Sequence, residues 1–529
     1  MQKHLLILLV LSTLALWPFA KYGYFESHDG EWMVIRFTAF HQALVSGQFP
    51  VRYVERLNNN YGYPVLNFLY PLPFYLAEFP KIIGFGFVNS IKIVFVVSSI
   101  ASTFAMFWAL AQIFSKNAAT AGALIYLFVP YRFVDLYVRG SLGENLAFTF
   151  VPIIAGCIFN LAKGHIIYAP ILSLAVGLLT ISHNVMALLF LPFFFILSTI
   201  VNIRSFKVTI ISFATGILTA TFFVLPALYD LKFVRLSQIK ISEITSHLVD
   251  FTKLLIPSWG YGPNPNSASG LSPQIGIVTT IIILATTITV FKSKSKNIAV
   301  NYFLLVFFLI VFANTKLSAV LWQNLPAADI IQFPWRMLAI VVFIAAFLTA
   351  YLIESAKSKM LLASLVIAAA VASTLTYIRP AVAVDKGDDY YATNEDTTNV
   401  RDEYLPLWAR DKPTGRAAQK IELAGVGQIV WQRTSHLKYE AKIESPADTT
   451  VQINTIYFPD FEAKIDGKST PISYNNSFGL INLKLPSGSH EVIINYTRSP
   501  VHAASEIISL VALLTTGAYF VTLWRKQNS

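Results

Sequence analysis

The sequence predicts a mainly α, polytopic transmembrane protein of roughly twelve spans, with a small extracytoplasmic β-sandwich just before the last helix. Three observations predict it. The 529 residues are 55% hydrophobic and only 13% charged, with a mean hydropathy of +0.57, too apolar for a soluble chain of this length. The apolar residues gather into separate runs of about 16 to 24, the length that crosses a bilayer core as helix. After Pro380 hydropathy falls, and from about 420 the pattern alternates with a period of two, as strands do.

The runs fall at 5–20, 91–114, 117–130, 144–162, 166–182, 185–203, 207–228, 273–291, 298–313, 335–353, 360–378 and 503–523. The first ends in Trp17-Pro18-Phe19-Ala20 without a convincing small-residue cleavage site, and is read as a retained helix. With the N-terminus inside, the cytoplasmic links are the short basic ones, at Lys3, Lys116, Lys163, Arg204 with Lys207, 292–296, Lys357 with Lys359, and Arg525 with Lys526. These hold 12 Lys/Arg against Glu354 alone, which accounts for the whole-chain net charge of +11. The basic balance is therefore a topology signal, and it excludes nucleic acid as the partner it would otherwise suggest. The one cysteine, Cys157, lies in an apolar run, so a disulfide framework or thiolate metal site within one chain is excluded.

All long loops then share one face: 21–90, 131–143, 229–272, 314–334 and 379–502. The last carries strand patterns at 450–458, 462–472, 479–485 and 490–496, with turns at Asp466-Gly467 and 486–489. The polar tract 386–404 ahead of them is expected to lie over the membrane domain.

Candidate residues cluster on the same face. In SHDGE (27–31), Asp29 and Glu31 are suited to cap and charge the start of an amphipathic interfacial helix, 32–47, or else to serve a site beside His28. The loop continues through Arg52, Asn59, Tyr61 and Asn67, among aromatics and prolines. Such a mixture fits sugar hydroxyls and ring faces, or a loop lying in headgroups. Arg132, Asp135, Arg139, Glu144 and Asn145 fit phosphate binding, lipid-headgroup contact or a local ion pair. His183 fits a structural residue or a catalyst. Arg336, beside Gln332 and Trp335, opens an apolar helix, where a charge needs a partner, a cavity or a route to the interface. Tyr457, Phe458 and Phe461 fit a sugar-stacking surface or a core.

Taken in order, Asp29, GQFPVRY, NNNYGYPVLNFLYPLPFYL, YVRGSLGEN, IQFPWRM, EYLP and a terminal β domain with YFPDFEAKIDGK resemble the GT-C superfamily of bacterial membrane glycosyltransferases. The similarity is to the branch described as pyruvoyl-tetrahydropterin-synthase-related membrane proteins, although no three-histidine zinc site is present. The resemblance implies a GT-C-like catalytic domain over 1–378, a loop and β-sandwich over 379–500, and a final helix with a basic tail over 501–529. It implies a bacterial inner-membrane enzyme with cytoplasmic termini and an extracytoplasmic active site. There a sugar passes from a polyprenyl-phosphate donor to an envelope glycan, polymer, lipid or protein. Asp29 would act as base or, with Glu31, as ligand to Mg2+ or Mn2+, since Asp-x-Glu supplies two oxygens. Arg139, Arg336 and Arg132 would hold the donor phosphate. His28, Arg52, Asn59, Tyr61, Asn67, Glu144, His183, Gln332 and Trp335 would contact substrate. Two rivals are a transporter or flippase of envelope lipids, which calls for ionisable residues at mid-bilayer, and a non-catalytic scaffold for the β domain.

Overall fold

The computed structural model describes residues 1–528 apart from 202–204, 294–296, 326–327 and 398–400. Arg204, Lys294 and Lys296 of the predicted basic links lie outside the described residues. Each of the twelve apolar runs contains a helix among the described residues. Among the described residues seven helices are long and apolar enough to cross a membrane, or nine if two sharply bent pairs each count as one span. Three shorter apolar helices, Tyr168–Ser182, Ile277–Lys292 and Ile298–Ala313, supply the rest. Leu142–Ala162 and Pro334–Glu354 are the most buried, and Lys359–Tyr377 and Pro500–Asn528 lie at the periphery.

The bends are where the helices depart from the predicted pattern. Lys116–Leu127 turns by 46° into Pro130–Arg139, so YRFVDLYVR is helix rather than the predicted loop. Pro130 sits at the first position of the new helix, where its missing N–H costs little. Its last turn, Val134–Arg139, is a π-helix. Its polar residues point inward because Asp135, Arg139 and the neighbouring Glu144 satisfy one another.

The first outer loop also differs from expectation. Gly30–Val45 is helical, but Met33, Val34, Ile35, Phe37, Ala39 and Phe40 are all buried. It is therefore a packed helix rather than an interfacial one: neighbours cover the face that would have met headgroups. A further helix, Leu72–Ile82, follows it.

After Tyr377 the chain leaves the bundle. Ala383–Val384 pairs antiparallel with Tyr24–Phe25. Asp388, at the start of a short helix, accepts hydrogen bonds from the free backbone N–H groups of Phe87 and Val88 at 2.7 and 3.0 Å. The tract thus lies over the membrane domain as expected.

The β domain has two antiparallel sheets. One runs in the order Gln428–Ser435, Lys438–Ser445, Gly488–Tyr496, Phe461–Ile465, Lys468–Thr470. The other runs Ile421–Ala424, Thr449–Ile456, Leu480–Leu485. Inward residues alternate along Lys438–Ser445, as Tyr439, Ala441 and Ile443, and meet those of the facing sheet in one core. Asp466-Gly467, both at positive φ, closes a hairpin as predicted. The 486–489 turn instead carries the chain from one sheet to the other.

Candidate active site

A cavity of about 310 Å³ opens at the end of the bundle from which the β domain rises. His28, Asp29, Arg139, His183, Gln332, Trp335 and Arg336 line it, so seven of the predicted residues converge from four separate segments.

SHDGE is held there by its backbone. The N–H groups of His28 and Asp29 donate to the carbonyls of Val138 and Arg139 at 3.0 and 2.8 Å. Glycine makes the approach possible. A Cβ on Gly140, itself at φ +61°, would lie 2.9 Å from the Gly30 nitrogen, and one on Gly30 would lie 2.4 Å from the Tyr24 ring. Ser27, not Asp29, caps the helix, its Oγ accepting from the Gly30 N–H at 3.1 Å. The Asp29 carboxylate is left facing the cavity and, among the described residues, accepts no hydrogen bond and forms no ion pair. His28 Nε2 donates to the Tyr261 carbonyl at 2.7 Å, and burial pushes its pKa down.

Glu31 is elsewhere. Its Oε1 accepts from Lys386 Nζ at 3.0 Å and from the Tyr391 hydroxyl at 3.1 Å, fastening the 386–404 tract to the helix. Two residues along a helix differ by about 200° in direction. The Asp29–Glu31 pair therefore does not converge on one point and does not fit a shared Mg2+ or Mn2+.

Beneath the cavity Glu144 gathers the cations. It is fully buried, with Oε2 2.5 Å from Arg139, and Oε1 3.3 Å from Arg336 Nε and 3.6 Å from His183 Nε2. His183 Nδ1 accepts from the Met186 N–H at 3.2 Å, which turns Nε2 toward Glu144. Asp135 takes a second bond from Arg139 at 2.9 Å, and Arg139 lies over the Trp335 ring. Arg336 also donates to Gln332 Oε1 at 2.6 Å. Glu144 thus serves as counter-ion to these cations and is not among the residues that line the cavity.

The remaining predicted residues lie outside the cavity. Arg132 is enclosed in the bundle, donating to Ser102 and Asn145 and stacked on Phe148. Arg52 binds Asn67, the Phe222 carbonyl and Glu506. Asn67 donates to Asp230 at 2.6 Å, and Asn59 to the Pro413 carbonyl at 2.8 Å. Tyr61 is buried, its carbonyl accepting from Ile456 of the β domain. These groups are consumed by the seam between helices and β domain. Phe458 and Phe461 are buried in the same seam beside Tyr53, and Tyr457 stacks on Tyr474.

The sequence reading missed Arg36. It is 8% exposed, lines the cavity, and forms no hydrogen bond or ion pair among the described residues. The signal was present: Arg36 is the lone charge in WMVIRFTAF and stands seven residues, about two turns, after Asp29, which puts both on one helix face. Trp32, Tyr70, Ser141, Glu403 and Tyr404 also line the cavity.

No family model matches the sequence, and no curated protein matches it. Among solved structures, the cryo-EM structure of arabinofuranosyltransferase AftD from mycobacteria is similar over 71% of this chain, with 13% identity and a TM-score of 0.45. The match covers 27% of that chain, so this protein spans about a quarter of its length.

Proposed function

We propose that the protein is an integral-membrane glycosyltransferase of the GT-C type. It transfers a sugar from a polyprenyl-phosphate donor to an envelope glycan, polymer, lipid or protein on the extracytoplasmic face of a bacterial inner membrane. One observation carries this reading: a single helix face presents an uncommitted carboxylate, Asp29, and an uncommitted buried guanidinium, Arg36, to a cavity walled by aromatic rings. A buried charge without a partner is costly, and a ligand of opposite charge removes that cost.

The roles follow from charge. The phosphodiester of the donor sits against Arg36, with the isoprenoid among the apolar helices. The acceptor hydroxyl attacks the anomeric carbon as its proton passes to Asp29. The bond from that carbon to the phosphate oxygen breaks, and polyprenyl phosphate leaves with the negative charge that Arg36 stabilises. Arg139 and Arg336, neutralised by Glu144 and Asp135, form a fixed polar floor rather than the primary phosphate clamp. Trp32, Tyr70 and Tyr404 supply aromatic surface for the sugar.

The test is to incubate the purified protein with a panel of polyprenyl-phosphate sugars. Consumption of one donor with release of polyprenyl phosphate is expected, together with thermal stabilisation by that donor. The absence of both turnover and stabilisation across the panel, in a folded preparation, contradicts the proposal.

A further inference from the structure

A second site lies on the opposite flank, where Phe206–Thr219 bends by 65° into Thr221–Phe233. The bend is stabilised by Ser509 of the last helix, whose hydroxyl accepts from the Phe222 N–H at 2.7 Å and donates to the Leu218 carbonyl at 3.1 Å. It leaves a crevice of about 530 Å³ against that helix, walled by Tyr75, Thr219, Phe222, Ile507, Leu510 and Leu513. Phe49, Pro50, Arg498 and Glu506 also line an adjoining cavity of about 370 Å³ under the β domain, so the two form one continuous channel, apolar below and polar above.

The upper chamber is cationic. Arg52, Lys438 and Arg498 line it with one carboxylate, Glu506, which both arginines already hold at 3.2 and 3.4 Å. Lys438 is 2.6 Å from Glu440, which is not in the lining. Arg498 stands where the β domain returns to the bundle, its side chain 62% exposed, and donates to the Phe49 carbonyl at 2.7 Å. A chamber with excess positive charge at the head of an apolar crevice matches a lipid whose headgroup is a monoanion.

We infer that this channel binds an anionic glycerophospholipid of the surrounding bilayer, one acyl chain in the crevice and its phosphodiester between Arg498 and Lys438. A bilayer lipid, rather than a lipid-linked sugar, fits because Glu506, the one lining carboxylate among the described residues, is committed to two arginines. The lipid joins three parts that meet there, the first outer loop, the β domain and the last helix. This inference does not depend on the function proposed for the first cavity.

The experiment reconstitutes the full chain in nanodiscs of phosphatidylcholine alone or with phosphatidylglycerol, and reads thermal unfolding together with native mass spectrometry. Phosphatidylglycerol should raise Tm and remain bound on release from the disc. Both effects should be lost in Arg498→Gln with Lys438→Gln, which empties the chamber, and in Leu510→Trp, which fills the crevice while leaving the charges. Equal Tm in the two discs overturns the inference. So does a phosphatidylglycerol effect that survives both variants, which marks diffuse surface attraction. A shift given by polyprenyl phosphate but not by phosphatidylglycerol also overturns it, identifying the occupant as a substrate lipid.

Discussion

Replacing Arg36 by Met should make the protein more stable and less able to bind its donor. Arg36 is 8% exposed as a residue, its Nε is buried, and it has no hydrogen-bond or ion-pair partner among the described residues, so the folded chain bears a desolvation cost. An apolar side chain of similar length removes that cost, and stability should rise by about 1 to 3 kcal/mol, the scale of a buried polar group left unpaired. In the complex the same change removes a charge-assisted bond of about 1.5 to 3 kcal/mol, which weakens donor binding roughly 10- to 150-fold. Trp32 and Trp335 line the cavity, so tryptophan fluorescence can follow titration with a polyprenyl-phosphate sugar. Thermal unfolding of the same sample gives the stability. A variant that is less stable and binds donor as tightly as the parent refutes the reasoning, because Arg36 would then be a packing residue.

Glu31→Gln should leave turnover nearly unchanged and loosen the 386–404 tract, seen as faster proteolysis there, since Glu31 faces Lys386 and Tyr391; a loss as large as that of Asp29→Asn would restore Glu31 to the chemistry. Glu144→Gln should destabilise the protein by about 3 to 5 kcal/mol in thermal or denaturant unfolding, because it strands Arg139 and Arg336 without their shared counter-ion. Stability should also fall on acidification through His28. Its folded pKa is depressed by burial, so its contribution is complete above about pH 6.5 and is lost as pH falls through the lower folded value. His28→Gln, which keeps a donor for the Tyr261 carbonyl, should flatten that acid limb in unfolding measured from pH 7 to 4.

Hydropathy located all twelve apolar helices, and alternation with turn chemistry located the later strands, because both signals are local. The bend at Pro130 and the π-turn after it were not legible, since they depend on Asp135, Arg139 and Glu144 meeting in three dimensions. The first-loop residues show the same limit. Arg52 meets Glu506 from 454 residues away, and Glu31 meets Lys386 from 355, so residue type suggested a sugar site where the fold uses ion pairs and hydrogen bonds as a seam. Asp29 was legible as a cap or a site residue, and the Ser27 hydroxyl takes the capping bond, which leaves the Asp29 carboxylate without the capping role. Arg36 was readable from its spacing to Asp29, but the apolar character of its helix drew attention to membrane contact instead.

In the proposed transfer Asp29 takes the acceptor proton and Arg36 holds the donor phosphate. Single-turnover reaction of a bound, labelled polyprenyl-phosphate sugar, measured beside its equilibrium binding, tests this most directly in the parent chain, Asp29→Asn and Arg36→Met. Asp29→Asn should bind donor normally but transfer its sugar at least about 100-fold more slowly, the scale of a lost general base, whereas Arg36→Met should bind weakly. Transfer at the parental rate by Asp29→Asn, with its donor site filled, would contradict these roles.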